Sequence, residues 1–183
     1  MGFRALFRPA AEFRKRIEAS REALYRLAYS WCHDAALADD LVQDAMVKAL
    51  DRAQQLRDPQ RLRGWLCAIL ANGLRDHFRR ASRFEDVDEL DEAVLSHTET
   101  PESARASAQL GSRVRSEVAR LPLGQRQVLT LVDLEGCSYA EVSEILAVPI
   151  GTVMSRLCRA RATLRERLID AAPEGEGKMR LVR

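Results

Sequence analysis

The sequence predicts an all-α protein made of two small helical domains joined by an acidic linker. Three observations carry that expectation. Leu, Ala, Arg and Glu dominate, while glycine (9), proline (6) and aromatic residues (5%) are sparse, a composition that favours helix. Apolar residues recur at helical spacing in two separate stretches and nowhere alternate as in a strand. Between the stretches lies a run of carboxylates with no Lys or Arg inside it. A chain of 183 residues has room for two such units.

The first stretch, residues 11–83, divides into three helices. Phe13, Ile17, Leu24, Leu27 and Trp31 mark the first; Leu37, Leu41, Ala45 and Ala49 the second; Leu62, Trp65, Leu66, Ile69 and Leu70 the third. Asp34 in "CHDAA" suits the N-cap of the second helix, because its carboxylate can accept a free backbone N–H. Pro59 in "RDPQR", residues 57–61, suits a helix start, where its missing donor and fixed φ do no harm. Residues 84–103, "FEDVDELDEAVLSHTETPES", hold acids at 85, 86, 88, 89, 91, 92, 99 and 102. Such a segment buries too little apolar surface to fold alone, so 84–104 reads as a linker. The helical pattern resumes over 105–170 with Val114, Val118, Leu121, Val128, Leu129, Leu131 and Val132, and 171–183 reads as a frayed tail.

Several function classes are excluded. A net charge of +2 is too small to signal nucleic-acid binding by itself, so the distribution of charge must carry any such signal. Cys32, Cys67, Cys137 and Cys158 are far apart with no Cys-x-x-Cys, which suggests neither a disulfide framework nor a zinc site, and a reducing cytoplasm fits. No segment approaches the roughly 18 uninterrupted apolar residues of a membrane span, and no membrane insertion is expected. No Ser-His-Asp set, phosphate-binding glycine loop or paired-carboxylate site appears, so no catalytic residue, cofactor or metal is expected and the protein reads as a non-enzyme. His77 falls on the apolar side of the third helix and is expected to be packed.

The second unit contains "CSYAEVSEILAVPIGTVMSRLCRARATLRERL", which has the layout of a helix-turn-helix. Ser138 and Glu141 form a capping box at the start of a short helix bearing Val142, Ile145 and Leu146; Pro149 and Gly151 fall at the turn. On a wheel of about 100° per residue, Val153, Leu157, Ala160, Leu164 and Leu168 form one apolar stripe, which must face the core. Opposite lie Gly151, Ser155, Cys158, Arg159 and Ala162, with Arg156, Arg161 and Arg165 on the flanks. Small groups permit close approach to a major groove, a long side chain reaches base edges, and flanking cations meet phosphates. Similar units serve repressors and response regulators, so a stand-alone operator-binding transcription regulator is the alternative reading.

In the first unit, "DDLVQDAMVKAL" sets Asp40, Gln43, Asp44 and Asp51 on one polar face, opposite Leu41, Val42, Ala45, Met46 and Ala49. An acidic face on a DNA-binding protein suits a basic protein partner better than phosphate. The third helix, "RLRGWLCAILANGLRDHFRR", gathers Trp65, Asn72, Arg75 and Arg79 on one edge, followed by Arg80 and Arg83. Cations beside an aromatic and an amide can hold a backbone and stack or hydrogen-bond unpaired bases.

These segments together resemble the extracytoplasmic-function (ECF) sigma factors, a compact branch of the sigma-70 family. "ALYRLAYSWCHDAALADDLVQDAMVKAL" and "LRGWLCAILANGLRDHFRR" are similar to sigma region 2, and "LPLGQRQVLTLVDLEGCSYAEVSEILAVPIGTVMSRLCRARATLRERL" to region 4. The resemblance implies a factor that directs core RNA polymerase to promoters and assists DNA opening, in a stress or signal response. It implies polymerase docking by Asp40, Gln43 and Asp44. It assigns the downstream (minus-ten) element to Arg57, Asp58, Pro59, Gln60 and Arg61 of the 55–61 loop, with Trp65, Asn72, Arg75, Arg79 and Arg80. The upstream (minus-thirty-five) element falls to Thr152, Met154, Ser155, Arg156, Cys158, Arg159 and Arg161. Core polymerase, promoter DNA and an anti-sigma factor are the partners it implies. The chain departs from the family's usual residue types at Met154 and Cys158.

Overall fold

The computed structural model describes residues 3–81 and 106–170. The acidic linker and the tail lie outside the described residues, as does Arg83. Within the described residues every regular element is helical. The first half holds α1 (Phe3–Cys32), α2 (Ala35–Asp51) and α3 (Leu62–Ala81). The second holds α4 (Ala106–Ala119), α5 (Leu123–Leu129), α6 (Tyr139–Leu146) and α7 (Ile150–Asp170). Helix α1 begins at Phe3, earlier than the apolar periodicity marks.

Local chemistry sets the boundaries. His33 ends α1 with a left-handed φ of 53°, and Asp34 then accepts the Leu37 N–H at 3.0 Å to cap α2. Between α2 and α3 the expected loop winds into two short 3-10 turns, Ala53–Gln55 and Pro59–Arg61. Asp58 caps the second by accepting the Gln60 N–H at 2.9 Å.

In the first half Ile17, Leu24, Leu27 and Ala28 of α1 meet Ala38, Val42, Ala45 and Ala49 of α2 and Leu66, Leu70 and Leu74 of α3, all buried. Each large aliphatic side chain so covered contributes roughly 1.5–3 kcal/mol. His77 is exposed, contrary to the sequence expectation. It lies on the right stripe of α3, but nothing in the helix beyond Leu74 is fully buried, and its ring stands edge-on to Phe78, centroids 5.7 Å apart. In the second half Leu121, Val128 and Leu131 pack with Val142, Ile145, Val153, Leu157 and Ala160.

The two halves share one continuous core: α1 reaches α5 and α3 lies along α6. Trp31, completely buried at the end of α1, donates its indole N–H to Thr130 Oγ1 at 2.8 Å. Thr130 opens a single π-turn, Thr130–Leu134, that continues α5. Its hydroxyl bonds back to the Arg126 carbonyl at 2.9 Å, so the side chain competes for the helix's own acceptors where the turn widens. Arg126 is buried too, its guanidinium donating to the Trp31 carbonyl at 2.7 Å and the Leu121 carbonyl at 2.9 Å. Among the described residues its hydrogen-bond acceptors are these two carbonyls, and burial lowers its pKa to about 10.

Candidate nucleic-acid interface

The helix-turn-helix is built by α6 and α7. Glu141 accepts from the Ser138 backbone N–H at 2.8 Å and from its hydroxyl at 2.7 Å, while Ser138 Oγ accepts the Glu141 N–H at 3.3 Å. These bonds hold the Glu141 carboxyl below its ordinary range. Ala147 closes α6 in the left-handed conformation, φ 53° and ψ 46°. The Ser143 hydroxyl then donates to the Val148 carbonyl at 2.6 Å, fixing the turn. The Pro149 carbonyl accepts the first free amides of α7, from Thr152 and Val153.

Val153, Leu157 and Ala160 of α7 are buried, while Leu164 and Leu168 are only half covered because the helix outruns the core. Gly151, Met154, Ser155, Cys158 and Arg159 are exposed, and Thr152 and Arg156 are half-buried. The face is therefore small-residued around Arg159, as the wheel predicts, with Met154 added. The flanking cations differ from one another. Arg161 is held by Asp133 in a two-point pair at 2.5 and 3.3 Å. Arg156 lies across Gly124, where an added Cβ would stand 2.9 Å from its guanidinium carbon.

The second constellation lies at the junction of the halves. The Arg16 guanidinium donates to the Pro59 carbonyl at 2.7 Å, tying the 55–61 loop to α1. That loop and half-buried Trp65 line one wall of a cleft of about 960 Å³. Glu135, Cys137, Ala140, Glu141 and Glu144 line the other. Arg57, Asp58, Gln60 and Arg61 thus share one cleft with Trp65, and Asp58 doubles as a helix cap. Asn72 is exposed and accepts from Arg75 at 3.0 Å; the second Arg75 amino group donates to the Leu146 carbonyl, at the C-terminal end of α6, at 2.7 Å. Arg79 pairs with Asp76 at 3.1 Å, and Arg80 is exposed.

The third constellation is on α2, where Asp40, Gln43 and Asp44 are exposed and Asp44 pairs with Lys48 at 2.8 Å. Val47 and Leu50 are also exposed, at 52% and 38%, so this face mixes apolar and acidic groups. Sequence reasoning did not single out those two residues: period-3.6 patterning flags what is buried and says little about apolar residues left outside. It also passed over Arg63, which pairs with Glu135 across the cleft. Among the described residues no helix is long and apolar enough to cross a membrane, and no cluster of three or more His, Cys, Asp or Glu could hold a metal ion.

Two family models match the chain, Sigma-70 region 2 over residues 16–84 and Sigma-70, region 4 over 112–164. Among curated relatives, the sigma-H factor of Pseudomonas aeruginosa is 32% identical, covering 75% of this chain and 76% of the relative. The ECF sigma factor EcfG of Rhodopseudomonas palustris is 31% identical, covering 86% of both. SigE of Mycolicibacterium smegmatis is 33% identical, and the chain spans 60% of its length. Among solved structures, the sigma factor RpoE in complex with the anti-sigma factor NepR from Bartonella quintana superposes with a TM-score of 0.67 at 28% identity, covering 87% of this chain and 98% of that one. The chain belongs to the ECF branch of the sigma-70 RNA polymerase sigma factors.

Proposed function

We propose that this chain gives core RNA polymerase promoter specificity and helps open the duplex, without enzymatic chemistry of its own. One observation carries the reading: a capped helix-turn-helix with a small-residued outer face and a separate basic, aromatic-bearing helix stand on one chain in the family's order. Residues 11–83 are assigned core docking and the downstream element, and 105–170 the upstream element. Asp40, Gln43 and Asp44, with Val47 and Leu50 beside them, dock on polymerase. Arg57, Asp58, Pro59, Gln60, Arg61, Trp65, Asn72, Arg75, Arg79 and Arg80 serve the downstream element. Thr152, Met154, Ser155, Arg156, Cys158, Arg159 and Arg161 serve the upstream one. A single basic helix attaches weakly and in a salt-sensitive way, so two reading units on one polymerase gain by effective concentration.

The protein acts in the cytoplasm, under an anti-sigma factor that covers its polymerase-facing surfaces, as the NepR complex of the Bartonella relative suggests. Family membership speaks against a stand-alone operator-binding regulator. Run-off transcription with purified core polymerase tests the reading. The wild-type chain should support initiation, and an Asp40→Arg, Asp44→Arg variant should not. Protection of a palindromic operator by the chain alone, with no initiation from any promoter, would sink the proposal.

A further inference from the structure

Two of the four cysteines, far apart in the sequence, come to the same place where the halves join. Arg63 at the start of α3 pairs with Glu135, and Arg75, further along α3, donates to the Leu146 carbonyl at the end of α6 at 2.7 Å. These two contacts set the register of α3 against the segment 135–146. Cys67 stands one helical turn beyond Arg63, and Cys137 follows closely on Glu135, so both lie at the same end of the junction. Cys67 is buried on α3 beside Ala68 and one turn from Gly64, both of which line the cleft, and Cys137 is half-buried on the opposite wall. Axes of packed helices stand about 8–10 Å apart and each backbone lies about 2.3 Å from its axis, which brings facing Cα atoms within the roughly 7 Å limit for a disulfide. Both sulfurs also act on one guanidinium, that of Arg63. We propose that Cys67 and Cys137 are a dithiol site that oxidises to a disulfide joining the two halves of the chain.

The oxidant is a low-molecular-weight disulfide. Cys137, the more accessible of the two, attacks one sulfur of that disulfide as a thiolate, expelling the other half as a thiolate and forming a mixed disulfide. Cys67, also as a thiolate, then attacks Cys137 Sγ and releases the second half. Two protein thiols lose two electrons and two protons, and one small disulfide becomes two thiols. Burial, with the charge of Cys137 adding to it, pushes the Cys67 thiol up to about 12. Capture of Cys137 removes the second of those causes, and the Arg63 guanidinium favours the thiolate at both positions. Formation is slow, as suits a pair that stays reduced under ordinary cytoplasmic conditions. Once made, the bond fixes α3 against the entry to α6. The surfaces assigned to the downstream and upstream elements can then no longer be placed on DNA independently. That consequence rests on the function proposed above; the cross-link itself does not.

The test incubates the full chain with oxidised glutathione, alkylates the remaining thiols in denaturant and digests with trypsin without reduction. Mass spectrometry should find fragment 64–75 joined to fragment 127–156, which hold Cys67 and Cys137 as their only cysteines. Dithiothreitol should release the pair. Either thiol left free, capped by glutathione or joined elsewhere after prolonged exposure would overturn the proposal. Run-off transcription with core polymerase reads the consequence. The oxidised wild-type chain should lose initiation and regain it with dithiothreitol, while Cys137→Ser and Cys67→Ala, treated alike, should keep it. Both variants retain Cys158, so an equal loss in them would place the inhibition at another thiol and overturn the regulatory role. Two variants are used so that a folding defect in one, seen as lost helical circular dichroism, leaves the other to decide. No initiation by the reduced wild-type chain would refute the proposed function and with it the regulatory role, while the mapped fragments alone decide the cross-link.

Discussion

Arg126 is the residue whose replacement most sharply tests the energetics of the shared core. Alanine there would leave the Trp31 and Leu121 carbonyls buried without their donors, at about 1–3 kcal/mol each. It would also remove the three methylenes of the stem, roughly 2 kcal/mol of apolar burial. Against this stands relief from holding a cation out of water, worth several kcal/mol before its hydrogen bonds offset it. The balance is a net loss of about 3 kcal/mol for Arg126→Ala. Methionine retains the stem volume and abolishes the buried charge, so Arg126→Met should stay within about 1 kcal/mol of the wild type. Urea unfolding followed by tryptophan fluorescence measures both, provided the slopes agree. A methionine variant as unstable as the alanine one would show that the guanidinium contributes net attraction, and the argument from desolvation would be wrong.

Other outcomes follow from single contacts. Arg159→Ala should weaken upstream-element binding by roughly 1–3 kcal/mol and relax one base position in a competition assay, whereas Arg161→Ala should act evenly on all sequences and lower the salt slope. The Arg161 effect should be the smaller, because Asp133 already neutralises part of that cation. Ala147→Gly should raise the unfolding midpoint by an amount equivalent to about 0.5–1 kcal/mol, since the left-handed cap of α6 strains alanine and not glycine. In the folded protein an alkylating reagent should modify exposed Cys158 first and spare Cys67, whose thiol burial pushes up to about 12. Modification at Cys158 should block promoter binding, and retained binding would remove it from the reading face. The depressed carboxyl of Glu141 contributes stability above the ordinary glutamate range and loses it as pH falls through its folded value. Acid unfolding of Glu141→Gln should therefore lack that part of the wild-type pH dependence.

Much of this architecture was legible in the sequence because it is locally encoded. The Asp34 cap, the Ser138–Glu141 box and the stripe of Val153, Leu157 and Ala160 each need only a few neighbouring residues to be recognised. The outer face of α7 follows from the same wheel that selects its inner one. His77 failed because a wheel knows phase but not where the covering helices end. The junction of the halves was illegible for a different reason. Trp31 lies 99 residues from Thr130 and 95 from Arg126, and nothing in local periodicity ties a tryptophan on one helix to a threonine that far away. Arg126 itself looks like a surface residue by composition, since arginine is rarely buried without an acidic partner. Glu135 and Glu144 likewise look like solvated charges until α6 is laid against α3.

The close approach at Gly124 bears on how α7 would meet DNA. Arginine free in solvent samples many rotamers, and freezing one on a phosphate forfeits up to about 2 kcal/mol of side-chain entropy. Because residue 124 has no side chain, the half-buried Arg156 guanidinium can lie against α5, and a rotamer restricted there would forfeit less on meeting the phosphate proposed for it. The absence of one methyl group on α5 thereby sets where a cation of α7 can rest. A methyl placed at position 124 would displace the guanidinium while leaving every DNA-facing residue of α7 in the sequence.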